Sequence, residues 1–378
     1  MPGFRYITFA FCVSMILQIS YRTHAQDLRP DQPANKPSAS TPKPSSETII
    51  VHAPSTLDRF TVNPASVKSA FNQGLLKYTK RASVEDAWKT MVQPGERIGI
   101  RVSTVGGKVT STEPALVEAV IEGLQSAGIS PQDIIVWDKY PHHMVSAGYN
   151  PKQTNDDWQC RSIVEGSGWD PKQFYFHEIV GQLIWGDHEF KGRLAILDPP
   201  PIEETEEKKE KEAPKQISNR SYLTKILTQE VDKIINIPSM TSHEDVGLFG
   251  CLSSLALGSI DNHRRFLSGT PAAAQAVAEI LKKEPFTKKV ILHIMDGLIV
   301  QYAGGPSFNP NHAISAGFLL IGNDPVAIDS WCVQQMEYRR EENSVVPIAE
   351  KANHIKAAEA YGLGKEFRNS RIIRLDLP

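Results

Sequence analysis

Four side chains in the second half of the chain are of types that do chemistry together: His243, His263, Asp296 and Asp329. An imidazole beside a carboxylate is the usual apparatus of general acid–base catalysis, and the same donors are the common ligand set for zinc and other divalent metals. No pair among them falls four residues apart on one helix, so they form no compact metal motif. Each also has a plainer reading. Asp296-Gly297 is a turn signal, and Asp329 lies one turn into a helix where it can serve a neighbouring backbone group. His263 can pair with Asp261, and His243, with Glu244 and Asp245, can cap the helix that follows.

Two glycine loops could bring backbone N–H groups to an anion: Gly304-Gly305-Pro306 with Ser307, and Gly106-Gly107-Lys108 near Arg101. Both read equally as turns. His142-His143 sits on a predicted loop with weak metal potential, and His312 lies downstream of the second loop. There is no P-loop and no G-x-G-x-x-G opening a helix. Without a G-x-S-x-G elbow, a serine triad is disfavoured. Cys251 and Cys332 lie in apolar helical surroundings and read as core.

The elements that must position these groups alternate between strand and helix. Arg97–Val102 is a strand after a Pro-Gly turn. Leu116, Val117, Val120, Ile121 and Leu124 recur at helical spacing within Glu113–Ala127, and Asp133–Trp137 is the next strand. Strand–helix–strand is the signature of a parallel α/β sheet. Phe174–Leu197 reads as a hairpin or antiparallel excursion. Strands follow at Val231–Ile237, Val290–Met295 and Phe318–Ile321. Helices are predicted over Val246–Leu257 (with a split near Gly250), Pro271–Lys283, Pro325–Tyr338 and Pro347–Tyr361. The expected fold is α/β: a mixed, largely parallel sheet flanked by helices, in one large domain over 48–378 that could divide into two lobes. Ligands of open α/β sheets bind outside the carboxyl ends of strands, which is where Asp296 would stand if its strand ended at Met295.

At 378 residues, 40% hydrophobic and 22% charged, the chain has ordinary globular composition. A net charge of -2 with no basic stripe gives no reason to expect nucleic acid as a partner. Residues 1–25 read as a secretory signal peptide: Arg5 in the n-region, an apolar Tyr6–Ile19, and a small-residue cut after Ala25. A retained signal anchor is the alternative. Cleavage would leave no stable membrane span and an exported protein, periplasmic or extracellular. Residues 26–47, rich in Pro, Ser and Lys, read as a disordered linker, and the charge run at about 199–215 as a disordered insertion. Cys160, Cys251 and Cys332 are widely spaced with no C-x-x-C, so no iron–sulfur cluster is expected within the chain.

Four segments in this order carry a family resemblance: "TSTEPALVEAVIEGLQSAG" with "IIVWD", "DKIINIPSMTSH" leading into "GLFGCLSSLALGS" and His263, "HIMDGLIVQYAGGP", and "LLIGNDPVAIDSWCVQQM" followed by "AAEAYGLG". The chain resembles, over about 95–365, the domain-of-unknown-function family 362. That resemblance implies an α/β protein, often exported, in some members joined to an iron–sulfur module that is missing here. It implies no settled reaction. Where the family carries lysines after the proline, this chain has Ser239 and Thr241, with His243 retained. Ser253-Ser254 replace a Lys-Asn pair, and Arg101 with Ser103 stand for an early Lys-x-Asn. Lysines are point charges suited to phosphate or carboxylate, so the resemblance implies a ligand site with fewer positive charges than its relatives have.

The sequence thus supports a His/Asp-lined cleft for a small ligand or a divalent metal. His243, His263, Asp296 and Asp329 are its acid–base candidates, and Arg101, Ser239, Thr241, Ser253, Ser254, Gly304, Gly305 and Pro306 are its ligand contacts. The alternative is a non-catalytic binding or accessory protein that has lost the lysine-rich site of its relatives. Substrate, metal identity and oligomeric state are not encoded legibly.

Overall fold

The computed structural model describes residues 47–151, 157–191 and 216–378. The signal-peptide, linker and insertion expectations fall on 1–46 and 199–215, outside the described residues, except that Glu47 already opens a strand. Eight strands follow one path through the main sheet. They are β1 (Glu47–His52), β2 (Ile98–Val102), β3 (Ile134–Asp138), β4 (Gln159–Ser162), β5 (Lys233–Ile237), β6 (Val290–Gln301), β7 (Ala313–Gly322) and β8 (Arg371–Asp376). Their order across the sheet is β8-β1-β7-β6-β5-β2-β3-β4. The run from β6 to β4 is parallel throughout. β7 is antiparallel to both β6 and β1, and β8 lies parallel to β1. The sheet is therefore mixed and largely parallel, within one compact unit.

The strand sequences show why. β2 (IGIRV) and β3 (IIVWD) are buried at every position, the continuous pattern of parallel strands covered on both faces. Alternate residues serve opposite faces. Ile134 and Val136 join the core with Phe71, Leu116 and Val120, whereas Ile135 and Trp137 join the core with Leu252, Val277 and Ile328. The first core is closed by α1 (Pro64–Thr79) and α2 (Pro114–Ser126). The second is closed by α3 (Cys251–Gly258), α4 (Pro271–Leu281), α5 (Pro325–Glu342) and α6 (Asn353–Ala360).

Helix starts obey local chemistry. Proline follows the cap in α1, α2, α4 and α5, where its missing N–H costs nothing. Asp324 caps α5 by accepting from Ala327 N at 2.9 Å. Gly123 in α2 is a helix-interior glycine with a packing reason: a Cβ there would overlap the indole of fully buried Trp88.

Several elements differ from the sequence expectation. β6 does not stop at Met295 but runs on to Gln301, so Asp296 is a mid-strand residue and Asp296-Gly297 is not a turn. Ser239–His243 forms a short strand against β6 that the sequence did not signal. His142-His143 lies on a helix, Pro141–Ser146, not on a loop. The last predicted helix shortens to α6. The antiparallel excursion is a 14-residue strand, Trp169–Gln182, paired with Ile217–Thr224 from beyond the charged run.

Candidate functional site

The strand order reverses beside β2. The chain passes from β2 outward through β3 to β4, then returns to β2's other flank as β5 and continues to β6. Such a switch point opens a crevice at the strands' carboxyl ends, and a cavity of about 210 Å³ lies there. Arg101 and Ser103 from the end of β2 line it, with Asp138, Lys139 and Tyr140 from the end of β3. His243 and Phe249 come from the segment after β5. Leu257 and Gly258 end α3, and His263 with Arg264 follow; Pro306 and His143 complete the wall. Its size is below the roughly 300–1,000 Å³ of drug-sized pockets.

Asp138 locks the two strand ends together. Its carboxylate faces Arg101 Nη2 at 3.0 Å. It also accepts from Thr104 N at 2.9 Å, Thr104 Oγ1 at 2.6 Å and its neighbour Lys139 N at 2.7 Å. Arg101 donates in addition to the Val102 carbonyl. Burial pushes the guanidinium pKa down and Asp138 opposes that; the Arg101 Nε is left without a partner. Gly258 is required by this packing, because a Cβ there would overlap the Arg101 guanidinium.

Lys139 is the least expected group. It is 5% exposed, and its Nζ lies 2.7 Å from His263 Nδ1 and donates to the Leu257 carbonyl at 3.3 Å. Among the described residues no carboxylate stands within ion-pair distance of it. Burial pulls its ammonium pKa down, against the weaker pull upward of Asp187, Asp261 and Asp138. Those aspartates have other work: Asp261 accepts from Tyr222 N and His188 N, and Asp187 from Asn262 N and Ile184 N. His263 is held well below the usual imidazole range by burial first, then by Lys139 and Arg264. His243 is lowered by burial, with Asp245 and Glu244 opposing. His243 Nδ1 accepts from Asp245 N at 3.2 Å, which fits a neutral ring with its proton on Nε2.

Of the residues singled out from the sequence, Arg101, Ser103, His143, His243, His263 and Pro306 come together here. The other acid–base and ligand-contact candidates do not line the cavity. Asp296 accepts from Glu113 N at 2.7 Å and Leu298 N at 3.1 Å, tying the start of α2 to β6. Asp329 accepts from Cys251 N at 2.7 Å and Leu252 N at 2.9 Å, capping α3 from α5. Ser239 and Thr241 face each other at 3.3 Å, and Thr241 donates to the Thr110 carbonyl. Ser253 and Ser254 are fully buried within α3. The Gly304 and Gly305 N–H groups are taken by Glu244 and by Ser242 Oγ. Among the described residues no group of three or more His, Cys, Asp or Glu side chains could hold a metal ion.

Sequence reasoning missed Asp138 and Lys139. The signal was present, since Asp138 ends the strand IIVWD and Lys139 follows it, the kind of position that drew attention to Asp296. A second hollow of about 310 Å³ is lined in part by Arg161, Glu165 and Glu230. Arg161 and Glu230 pair at 2.5 Å, which leaves that hollow no unmatched cation.

The fold and crevice define an α/β protein of open-sheet type with its cavity at a topological switch point. The profile of the DUF362 family, a domain of unknown function, matches residues 193–334. That match takes in the segment through His263, the segment around Asp296 and most of the one around Asp329, in agreement with the resemblance drawn from the sequence there. A search of curated proteins finds no match. Among solved structures, one from Thermotoga maritima determined in a structural genomics programme is similar at a TM-score of 0.36 and 10% identity. The similarity covers 76% of this chain and 60% of that one, so this chain spans less than two thirds of that protein's length.

Proposed function

We propose that the protein binds a small anionic metabolite in the switch-point cavity, where His243, His263 and Lys139 supply proton-handling groups. The observation that carries this reading is the charge balance of the wall. Its one carboxylate, Asp138, is spent on Arg101. Lys139 and Arg264 then face the cavity beside three histidines with no further carboxylate in the wall; Asp187 and Asp261 act on them only from behind it. A site with surplus donors and positive charge in a low-dielectric recess selects a carboxylate or phosphate. On this reading the positive charge that the family's lysines would carry is supplied from another element, by Arg264 in the turn after α3, while Lys139 and the histidines supply hydrogen-bonding and proton-handling groups.

The test is a thermal-unfolding screen against small carboxylates and phosphates. A ligand present at 100 times its Kd should stabilise the protein by about 2.7 kcal/mol. Arg264→Ala, at an exposed position, should reduce that shift, and His243→Ala should reduce it further. An unchanged melting temperature across the screen would remove the support for a ligand site. We further infer export, resting on the apolar Tyr6–Ile19 run and the small-residue cut that follows it. Fractionation of expressing cells should find the chain outside the cytoplasm and shortened to begin near Gln26. Full-length protein in the cytosol would contradict this.

A further inference from the structure

The cavity wall holds one group whose surroundings suit neither a structural charge nor a simple anion clamp. A lysine retained for its positive charge is normally partnered by a carboxylate, because an unpaired buried ammonium is costly. Lys139 is buried, yet the three aspartates nearest in influence are committed elsewhere. Asp187 and Asp261 give their oxygens to backbone N–H groups, and Asp138 gives its own to Arg101, Thr104 and the Lys139 backbone. The Nζ lies instead against an imidazole nitrogen at 2.7 Å, with the Trp169 ring 5.4 Å and the Tyr140 ring 5.8 Å away. A primary amine desolvated by aromatic and apolar neighbours, in contact with a base and open to a cavity, is the arrangement of a nucleophile.

We propose that Lys139 is a covalent nucleophile that forms a Schiff base with a small oxo compound bearing a carboxylate or phosphate group. This rests on the anion-binding reading above and adds to it the carbonyl. The neutral amine adds to the carbonyl carbon: a C–N bond forms and the C–O π bond opens. His263 Nδ1 takes a proton from the nitrogen and returns it to the oxygen, giving a carbinolamine. The second nitrogen proton and the hydroxyl then leave as water, and a C=N bond remains. No oxidant or reductant is consumed. The same contact lets His263 return the proton on hydrolysis. Burial of both groups favours their uncharged forms, which the first step requires. Arg264 at the rim is placed to hold the anionic group.

The experiment is reductive trapping. Full-length protein is incubated with pyruvate, or with glycolaldehyde phosphate, and borohydride, and the adduct is located by peptide mass mapping. The expected result is one adduct per chain, on Lys139, with at least one of the two probes. His263→Ala should slow trapping on the order of 10²-fold, the scale of a lost proton-transfer group, without abolishing it. Adducts scattered over exposed lysines, or none on Lys139 with either probe, overturn the proposal, and because wild-type protein decides this, a poorly folding variant does not obscure it. Calorimetric titration of the same two probes separates the two readings. Binding without an adduct on Lys139 removes the Schiff base and leaves the anion site standing. Absence of binding with either probe, together with absence of an adduct, removes both.

Discussion

Buried carboxylates in this protein divide by what their oxygens accept. Asp138 takes a guanidinium, a hydroxyl and two backbone N–H groups at the crevice, whereas Asp296 takes backbone N–H groups, and Asp329 backbone N–H groups and the Cys251 thiol, deep in the core. Burial lifts the pKa of both core aspartates to about 7, against about 3.9 in an unfolded chain. Between those values the folded state binds more protons than the unfolded state, so stability falls as pH rises from about 4 towards 7, and levels off above. Each group contributes a slope of up to about 1.4 kcal/mol per pH unit. Asp296→Asn keeps an oxygen for one of the two N–H donors and removes the titration. Its melting temperature should therefore fall less steeply with rising pH across this window than that of the wild type. Parallel profiles for the two proteins would mean that Asp296 does not titrate there.

At the scale of the element, α2 shows how the sequence places a helix and then spends it on the site. Its spacing of Leu116, Val117, Val120, Ile121 and Leu124 was legible and the helix lies where that spacing put it, Pro114–Ser126. Its role was not legible, because that depends on contacts made across the sheet. Asp296 holds the helix start through Glu113 N, and Thr112 just before it accepts from Ser103 N at 2.8 Å at the cavity edge. The other anchor is the Gly123–Trp88 contact. Gly123→Ala would gain about 1 kcal/mol of helix propensity but force a methyl into a rigid, fully buried indole, at a typical cost of about 1–3 kcal/mol. Overpacking should win, and the urea midpoint should fall. A raised midpoint would show that Trp88 can yield. β6 teaches the converse lesson. The pair Asp296-Gly297 is a turn signal in isolation, but a strand of twelve buried or half-buried residues, paired with β7 on either side of a register shift after Gly297, continues past it.

For the whole molecule, the alternation of strands and helices was enough to give a mixed, largely parallel sheet, since burial on both faces writes itself into runs such as IGIRV and IIVWD. The reversal of strand order beside β2 was not readable, because the sequence does not say on which flank β5 returns. That reversal decides which loops meet. It brings Arg101, His243 and His263 together and adds Lys139, while leaving Asp296 and Asp329 in the core. The site is thus a product of topology more than of motif, which is why residues far apart in the chain, Arg101 and Arg264, share one cavity. The most direct test of a small-anion site at this switch point is a crystal structure of the protein grown with saturating pyruvate or phosphate. The account predicts density for the anion inside the cavity, within hydrogen-bond reach of Arg264 and of Lys139 or His243. An empty cavity, with the anion bound elsewhere on the surface, would contradict it.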